Sequence, residues 1–288
     1  MKLVRFAVDD NVRTGALIGD GIVDLHEVIP GLEREAAPGD TLALISLGSA
    51  RLAELGQLVS QQADKAQGGR KLLAPLVNPP KIICAWVNYP NPAVATLPQV
   101  PIFFSKYASA ITGPGEPIKL PRVGDQIVVE PELTAVIGKG GSDISEADAL
   151  SHVAGYTIVN DVTAFSHRLQ NFLGSPGPYM MAKTFDSFAP MGPCIVTADE
   201  IADPHSLDIR QYQNGELMTE SNSSRAIFKL PQLINYLSQH LTLQPGDLIL
   251  TGSPPPSSGK PAFLADGDHI RIEIDGVGVL ENPVVKVG

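Results

Sequence analysis

Two dipeptides, Asn214-Gly215 and Asp275-Gly276, constrain the fold of this chain more than any other feature. Each lies between two short strand-like runs: DIRQYQ and ELMTES around the first, HIRIEI and VGVLEN around the second. A two-residue turn that matches the twist of antiparallel strands needs positive φ at its centre, which Asn, Asp and Gly adopt most readily. Both segments are therefore expected to be β-hairpins. Similar runs open the chain, where KLVRFAV, GALIG and GIVDL are separated by Asp-Asp-Asn and Gly-Asp-Gly. KIICAWV (81–87), PIFFSK (101–106), the run from Ile127, GYTIVND, CIVTA and DLILTG continue the series. Helical spacing is confined to a few places. It covers 41–62 behind Asp40 as a cap and 146–152 behind the capping pair Ser145 and Asp148. It also covers 163–173 and a segment from Pro231 to about Gln239. There is no regular strand–helix alternation and no glycine-rich phosphate loop, which counts against a doubly wound dinucleotide fold. The chain reads as mainly β with short helices.

Leu76-Val77-Asn78-Pro79-Pro80 is the expected domain boundary, because two consecutive prolines stop regular structure and stiffen a linker. This gives a small N-terminal α+β domain over 1–78 and a larger domain over 79–288. A length of 288 residues allows both, and 43% hydrophobic with 18% charged residues is a globular composition. A net charge of −10 speaks against nucleic acid as a partner. No apolar stretch approaches the ~20 residues of a membrane span. The start, MKLVRFAVDD, reads as a strand rather than a signal peptide. Cys84 and Cys194 are far apart in apolar surroundings, as expected of buried thiols in a reducing, cytoplasmic setting.

Glu130 and Glu132 stand two apart in a Val/Ile/Thr-rich run, so on a strand they share one face. Neighbouring carboxylates repel unless a cation lies between them. Asp161 ends the next apolar run and adds a third oxygen ligand if that strand lies alongside. Three carboxylates without a nearby Cys suit Mg²⁺, Mn²⁺ or Ca²⁺ rather than zinc. The same spacing also fits the solvated face of an edge strand.

The strings EPELTAVIG, GYTIVNDVTA, KTFDSFAPMGP, NGE, DLILTGSP and GVGVLENPV resemble, in that order, the fumarylacetoacetate hydrolase family, from about Lys81 to Val284. The resemblance implies a mixed β-sandwich roll for the C-terminal domain, usually a homodimer. It implies one divalent metal, Mg²⁺ or Mn²⁺, held by Glu130, Glu132 and Asp161. It places Lys183 in the active site, where an ammonium holds a substrate carboxylate or an enolate oxygen. By itself a lysine before an aromatic is most often a surface residue, and Lys183→Ala is expected to change stability by no more than about 0.5 kcal/mol. Lys106 matches a family lysine near the substrate. Thr251 and Gly252 match a Thr-Gly-Thr-Pro turn that binds a substrate carboxylate. The family motif Ala-Arg-Asp-x-Gln is altered here to AFSHRLQ. Read without a gap, Phe165 and Arg168 stand for its Arg and Gln; with a short insertion, Arg168 and Gln170 fill those two substrate-binding roles.

The largest departure is NYPNPAVA (88–95), where many members carry Asn-Tyr-x-Asp-His and the His activates water. Asn91 and Pro92 stand at those places, and proline cannot move a proton. None of His26, His152, His167, His205, His240 and His269 lies in that motif. The resemblance implies an enzyme acting on a small 2-oxo or 1,3-dicarbonyl carboxylic acid through a metal-stabilised enolate. Family frequency points to a C–C bond hydrolase of the acylpyruvase or fumarylacetoacetase kind. The missing His points instead to a decarboxylase, isomerase or dehydratase. A metal-binding protein without turnover is the alternative from another class; Glu130, Glu132, Asp161 and Lys183 together argue against it.

Overall fold

The computed structural model of the chain describes residues 1–92, 94, 96–165 and 179–287. The chain opens with β1 (Lys2–Val8), β2 (Asn11–Ile18) and β3 (Gly21–Asp24) as an antiparallel meander, and β4 (Leu72–Leu73) pairs back onto β1. The helical spacing over 41–62 yields two helices, Thr41–Ser46 and Ser49–Ser60, because Gly48 turns into the left-handed region at φ 86. Asp40 caps the first of them, its carboxylate accepting from Ala43 N–H at 2.9 Å.

Next come β5 (Ile82–Trp86), β6 (Ile102–Lys106), β7 (Ile111–Thr112) and β8 (Ile118–Leu120). They are followed by β9 (Ile127–Val128), β10 (Pro131–Ile137), β11 (Val153–Asn160) and β12 (Thr163–Ala164). A helix over Tyr179–Lys183 precedes β13 (Ala189–Thr197). The chain ends in β14 (Asp208–Gln213), β15 (Glu216–Asn222), the helix Leu230–Ser238, β16 (Leu248–Leu250), β17 (His269–Ile274) and β18 (Gly278–Lys286). Both expected hairpins form. Asn214 and Gly215 take φ 54 and 83 between β14 and β15, and Gly276 takes φ 74 between β17 and β18. The helix expected over 146–152 is shorter, a 3₁₀ turn over Ala149–His152. Residues 166–178, which include most of the expected 163–173 helix, lie outside the described residues.

The architecture is mainly β. A large mixed sheet runs β3-β2-β1-β13-β11-β10-β16-β5-β6, with β4 and β7 at its side, and a five-stranded sheet runs β15-β14-β17-β18-β8. β18 and β17 of the second sheet lie against β13 and β11 of the first, and one apolar core fills the space between. Ile209, Ile270, Ile272 and Leu280 of the second sheet and Ile158, Met191 and Cys194 of the first belong to it. The segment read as a separate N-terminal domain continues the large sheet: Leu3 of β1 pairs with Ile195 of β13. Cys84 and Cys194 are free and buried, as expected. Among the described residues no helix is long and apolar enough to cross a membrane.

Candidate functional site

The run from Ile127 was expected to be one strand. It breaks after Val128 and resumes at Pro131, so Glu130 sits in the gap and Glu132 inside β10. β10 and β11 are antiparallel neighbours with Pro131 opposite Asn160. Extending that register by one residue brings Asp161 opposite Glu130, and Asp161 N–H donates to the Glu130 carbonyl at 2.9 Å. Asn160 fixes the gap from the other side: its Oδ1 accepts from Glu130 N–H at 3.1 Å. Residues facing one another across a ladder share a face, so all three acids converge. One carboxylate oxygen from each of Glu130, Glu132 and Asp161 lies within 4.8 Å of the others, the only such acid cluster among the described residues.

Each acid is held in place. Glu132 is buried, and its Oε2 accepts from Gly252 N–H at 2.6 Å. Gly252 has φ 91, and a Cβ there would come within 2.7 Å of Asn88 Cβ, so only glycine brings that amide to Glu132. Asp161 is fully buried between two lysines: Lys106 Nζ stands 2.7 Å from Oδ1, and Lys183 Nζ donates to Oδ2. Lys183 Nζ also lies 2.5 Å from Glu130 Oε2 and 4.7 Å above the centre of the Phe104 ring. Phe104 and Lys106 alternate on β6 and so present both groups to one side. Lys183 is only 2% exposed, so it is not the surface residue that a lysine before an aromatic most often is, and the small stability change expected of Lys183→Ala does not suit so buried a position.

Burial pushes the Glu132 carboxyl well above the ordinary carboxylate range, and the charge of Asp161 adds to this. Burial acts the same way on Asp161, but Lys106 and Lys183 outweigh it and hold Asp161 low and ionised. Burial alone would lower Lys183; the charges of Asp161 and Glu130 outweigh it and keep the ammonium charged. With every group ionised, three carboxylates face two lysines, a net charge of −1. An all-oxygen donor set with one uncompensated negative charge fits a hard divalent cation: Mg²⁺, Mn²⁺ or Ca²⁺.

The acids and Lys183 line a cavity of about 390 Å³. Its apolar wall includes Trp86, Phe104 and Val128, and the second sheet closes the far side with Gln211, Gln213 and Met218. Tyr89, Asn91 and Ser253 line it as well, and no histidine does among the described residues. Pro92 lies further out, in an adjoining pocket. Lys106 is not on the wall; it stands behind Asp161 and also donates to the Val162 carbonyl at 3.2 Å. The Thr251 hydroxyl donates to the Leu133 carbonyl at 2.8 Å, and the Gly252 amide is taken by Glu132. Arg168, Gln170 and His167 lie outside the described residues. Of the other histidines, His152 bonds the Lys139 carbonyl and His205 accepts from Leu230 N–H.

Sequence reasoning passed over Asn88, Tyr89 and Asn160. Asn88 is a buried clamp, donating to the carbonyls of Phe228 (3.0 Å) and Thr251 (2.8 Å) while its Oδ1 accepts from Phe228 N–H (2.8 Å). The signal was the Asn-Tyr that NYPNPAVA keeps from the family string, although the clamp itself depends on segments distant in the chain. For Asn160 a signal existed in its place beside Asp161.

Residues 81–285 match the family description fumarylacetoacetate (FAA) hydrolase C-terminal. The chain is 40% identical over 296 residues to oxaloacetate tautomerase fahd2, mitochondrial, of Xenopus laevis, covering 99% of this chain and 90% of the relative. Among solved structures it is similar to maleylpyruvate hydrolase from Sphingobium sp. SYK-6, in complex with manganese(II) ion and pyruvate: TM-score 0.81, 30% identity, 100% of both chains. It is also similar to 5-carboxymethyl-2-hydroxymuconate delta-isomerase from Mycobacterium smegmatis: TM-score 0.75, 32% identity, again 100% of both chains.

Proposed function

This chain belongs to the fumarylacetoacetate hydrolase family and is an enzyme, and from that premise we propose that it interconverts the keto and enol forms of a small 2-oxo dicarboxylic acid, with oxaloacetate the first candidate. The observation that carries this reading is the cavity wall. It brings three acids and a buried ammonium together, and Pro92 stands where the family resemblance expects the histidine that activates water. Enolisation needs charge stabilisation at oxygen; hydrolysis needs an activated water in addition. The tautomerase relative supports the same choice.

Glu130, Glu132 and Asp161 would hold the divalent cation, which when bound acidifies the carbon next to the ketone and shares the charge of the oxygens it contacts. Lys183, kept charged by Asp161 and Glu130, directs its ammonium at the substrate's carboxylate or enolate oxygen. Lys106, out of the substrate's reach, keeps Asp161 ionised and fixes its direction. Trp86 and Phe104 exclude water and strengthen these interactions. Gln211 also lines the cavity; its Oε1 accepts from the Thr219 hydroxyl, which leaves its amide N–H groups to suit the distal carboxylate, whereas the Gln213 amide donates to Asp268.

The similarity to maleylpyruvate hydrolase favours a second reading, hydrolysis of an acylpyruvate. A side-by-side assay of the metal-loaded protein separates the two. Oxaloacetate enolisation followed by ultraviolet absorbance should exceed acylpyruvate hydrolysis, and the opposite order would reject the tautomerase assignment. The frog relative is mitochondrial by name, so the cytoplasmic setting expected for this chain does not extend to it.

A further inference from the structure

Tyr89 is 2% exposed and lines the cavity, yet its hydroxyl has no hydrogen-bond partner among the described residues. Buried hydroxyls are nearly always paired, because an unpaired one has given up water for nothing. Glu132, on the same cavity, is not bonded to it; its Oε2 accepts from Gly252 N–H. Tyr89 nonetheless shares one cavity lining with Glu130, Glu132 and Asp161. Tyr89 also lines the adjoining pocket of about 520 Å³, so it stands at the neck between the two. Its position is fixed in advance by Asn88, whose side chain is bonded to Phe228 and Thr251 on two different segments.

A phenol carries one proton to give, and the cavity around it offers an ammonium and buried acids already engaged. The missing acceptor is an oxygen that arrives with the ligand. We propose that Tyr89 is a substrate-binding residue, its hydroxyl donating to an anionic oxygen, carboxylate or enolate, of the small 2-oxo acid bound over Glu130, Glu132 and Asp161. This rests on the reading of the cavity given above and adds to it a specific donor besides Lys183. It also gives the altered loop a use: the segment that lacks the family histidine still contributes a polar contact, one residue after Asn88.

The test is Tyr89→Phe in the full chain, which keeps the ring and removes only the hydroxyl. Oxalate, a planar mimic of the enolate, is titrated calorimetrically into Mn²⁺-loaded wild type and variant, with Mn²⁺ affinity and metal-free Tm measured in parallel. Loss of a hydrogen bond to a charged group should raise the oxalate Kd about 10-fold or more. The Mn²⁺ Kd should stay within about twofold, and the metal-free Tm should hold or rise, since an unpaired hydroxyl is removed. An unchanged oxalate Kd overturns the assignment. So does a fall in Tm with equal losses of oxalate and Mn²⁺ affinity, which would make Tyr89 a fold residue. Wild type that binds Mn²⁺ and oxalate but leaves oxaloacetate unenolised counts against the proposed reaction alone, since the Tyr89 outcome is read from oxalate binding.

Discussion

An ammonium buried as deeply as that of Lys183 persists only because Glu130 and Asp161 face it. Removing it leaves two carboxylates short of a counter-charge in a low-dielectric interior. Lys183→Met should therefore destabilise the metal-free protein by about 3 kcal/mol or more, the range for breaking a buried pair. Saturating Mn²⁺ should restore part of that loss by supplying the charge. Thermal melts with and without Mn²⁺ check both points, and a metal-free Tm equal to wild type would remove Lys183 from the charge balance. Glu132 gives a second prediction. Its carboxyl is raised by burial and by Asp161, so the folded metal-free protein holds a proton there that the unfolded chain releases at lower pH. The sign follows: this group's contribution to metal-free stability falls as pH rises above the ordinary carboxylate value, and cation binding must expel the proton. Mn²⁺ binding should tighten with rising pH and release up to one proton. Titrations at one pH in two buffers of different ionisation enthalpy should then give different heats; equal heats would show that Glu132 is already ionised. The three acids were legible in the sequence through the family resemblance; their spacing permitted a shared face, which the register of β10 with β11 supplies. The burial of Lys183 was not, because it depends on Phe104 and Asp161, both distant in the chain.

At the scale of elements, the turn that ends β16 has a task that its sequence disguises. Thr251 and Gly252 looked like substrate ligands, whereas the hydroxyl bonds the Leu133 carbonyl and the glycine amide bonds Glu132. Gly252→Ala forces a Cβ against Asn88 at positive φ. Strain of this kind costs of order 1–3 kcal/mol. The variant should lose that stability and also bind Mn²⁺ more weakly, because the amide that orients Glu132 shifts. Metal affinity at wild-type level in a folded Gly252→Ala would separate the turn from the acid cluster. The hairpins at Asn214-Gly215 and Asp275-Gly276 were readable because positive φ is a local demand. The break between β9 and β10 was not, since the run keeps its apolar pattern and the partner that fixes the gap, Asn160, belongs to another strand.

At the scale of the whole molecule, the proline-rich segment 76–80 is the expected boundary of a small domain over 1–78. That domain is docked by its first strand: β1 continues the large sheet beside β13, and Leu3, Val4 and Phe6 belong to the same core as Ile195 and Val196. A pairing across nearly two hundred residues has no local signature, so the sequence could show the linker but not the docking. A fragment of residues 79–288 would expose the edge of β13 and the apolar face beneath it. It should lack a cooperative melt, or aggregate, where the full chain melts in one transition. A fragment that melts cooperatively near the full-chain Tm would establish two independent units.

The cavity draws on both sheets, and unequally. The acids belong to the large sheet and its margins, while Gln211, Gln213 and Met218 come from the β14–β15 hairpin of the other. Reactivity and taste thus have separate genetic addresses. Exchange of the cavity-facing side chains of one hairpin is therefore expected to change which acid fits while leaving the acid cluster in place. A randomised library confined to 211, 213 and 218 checks this: ligand preference should move while Mn²⁺ affinity holds.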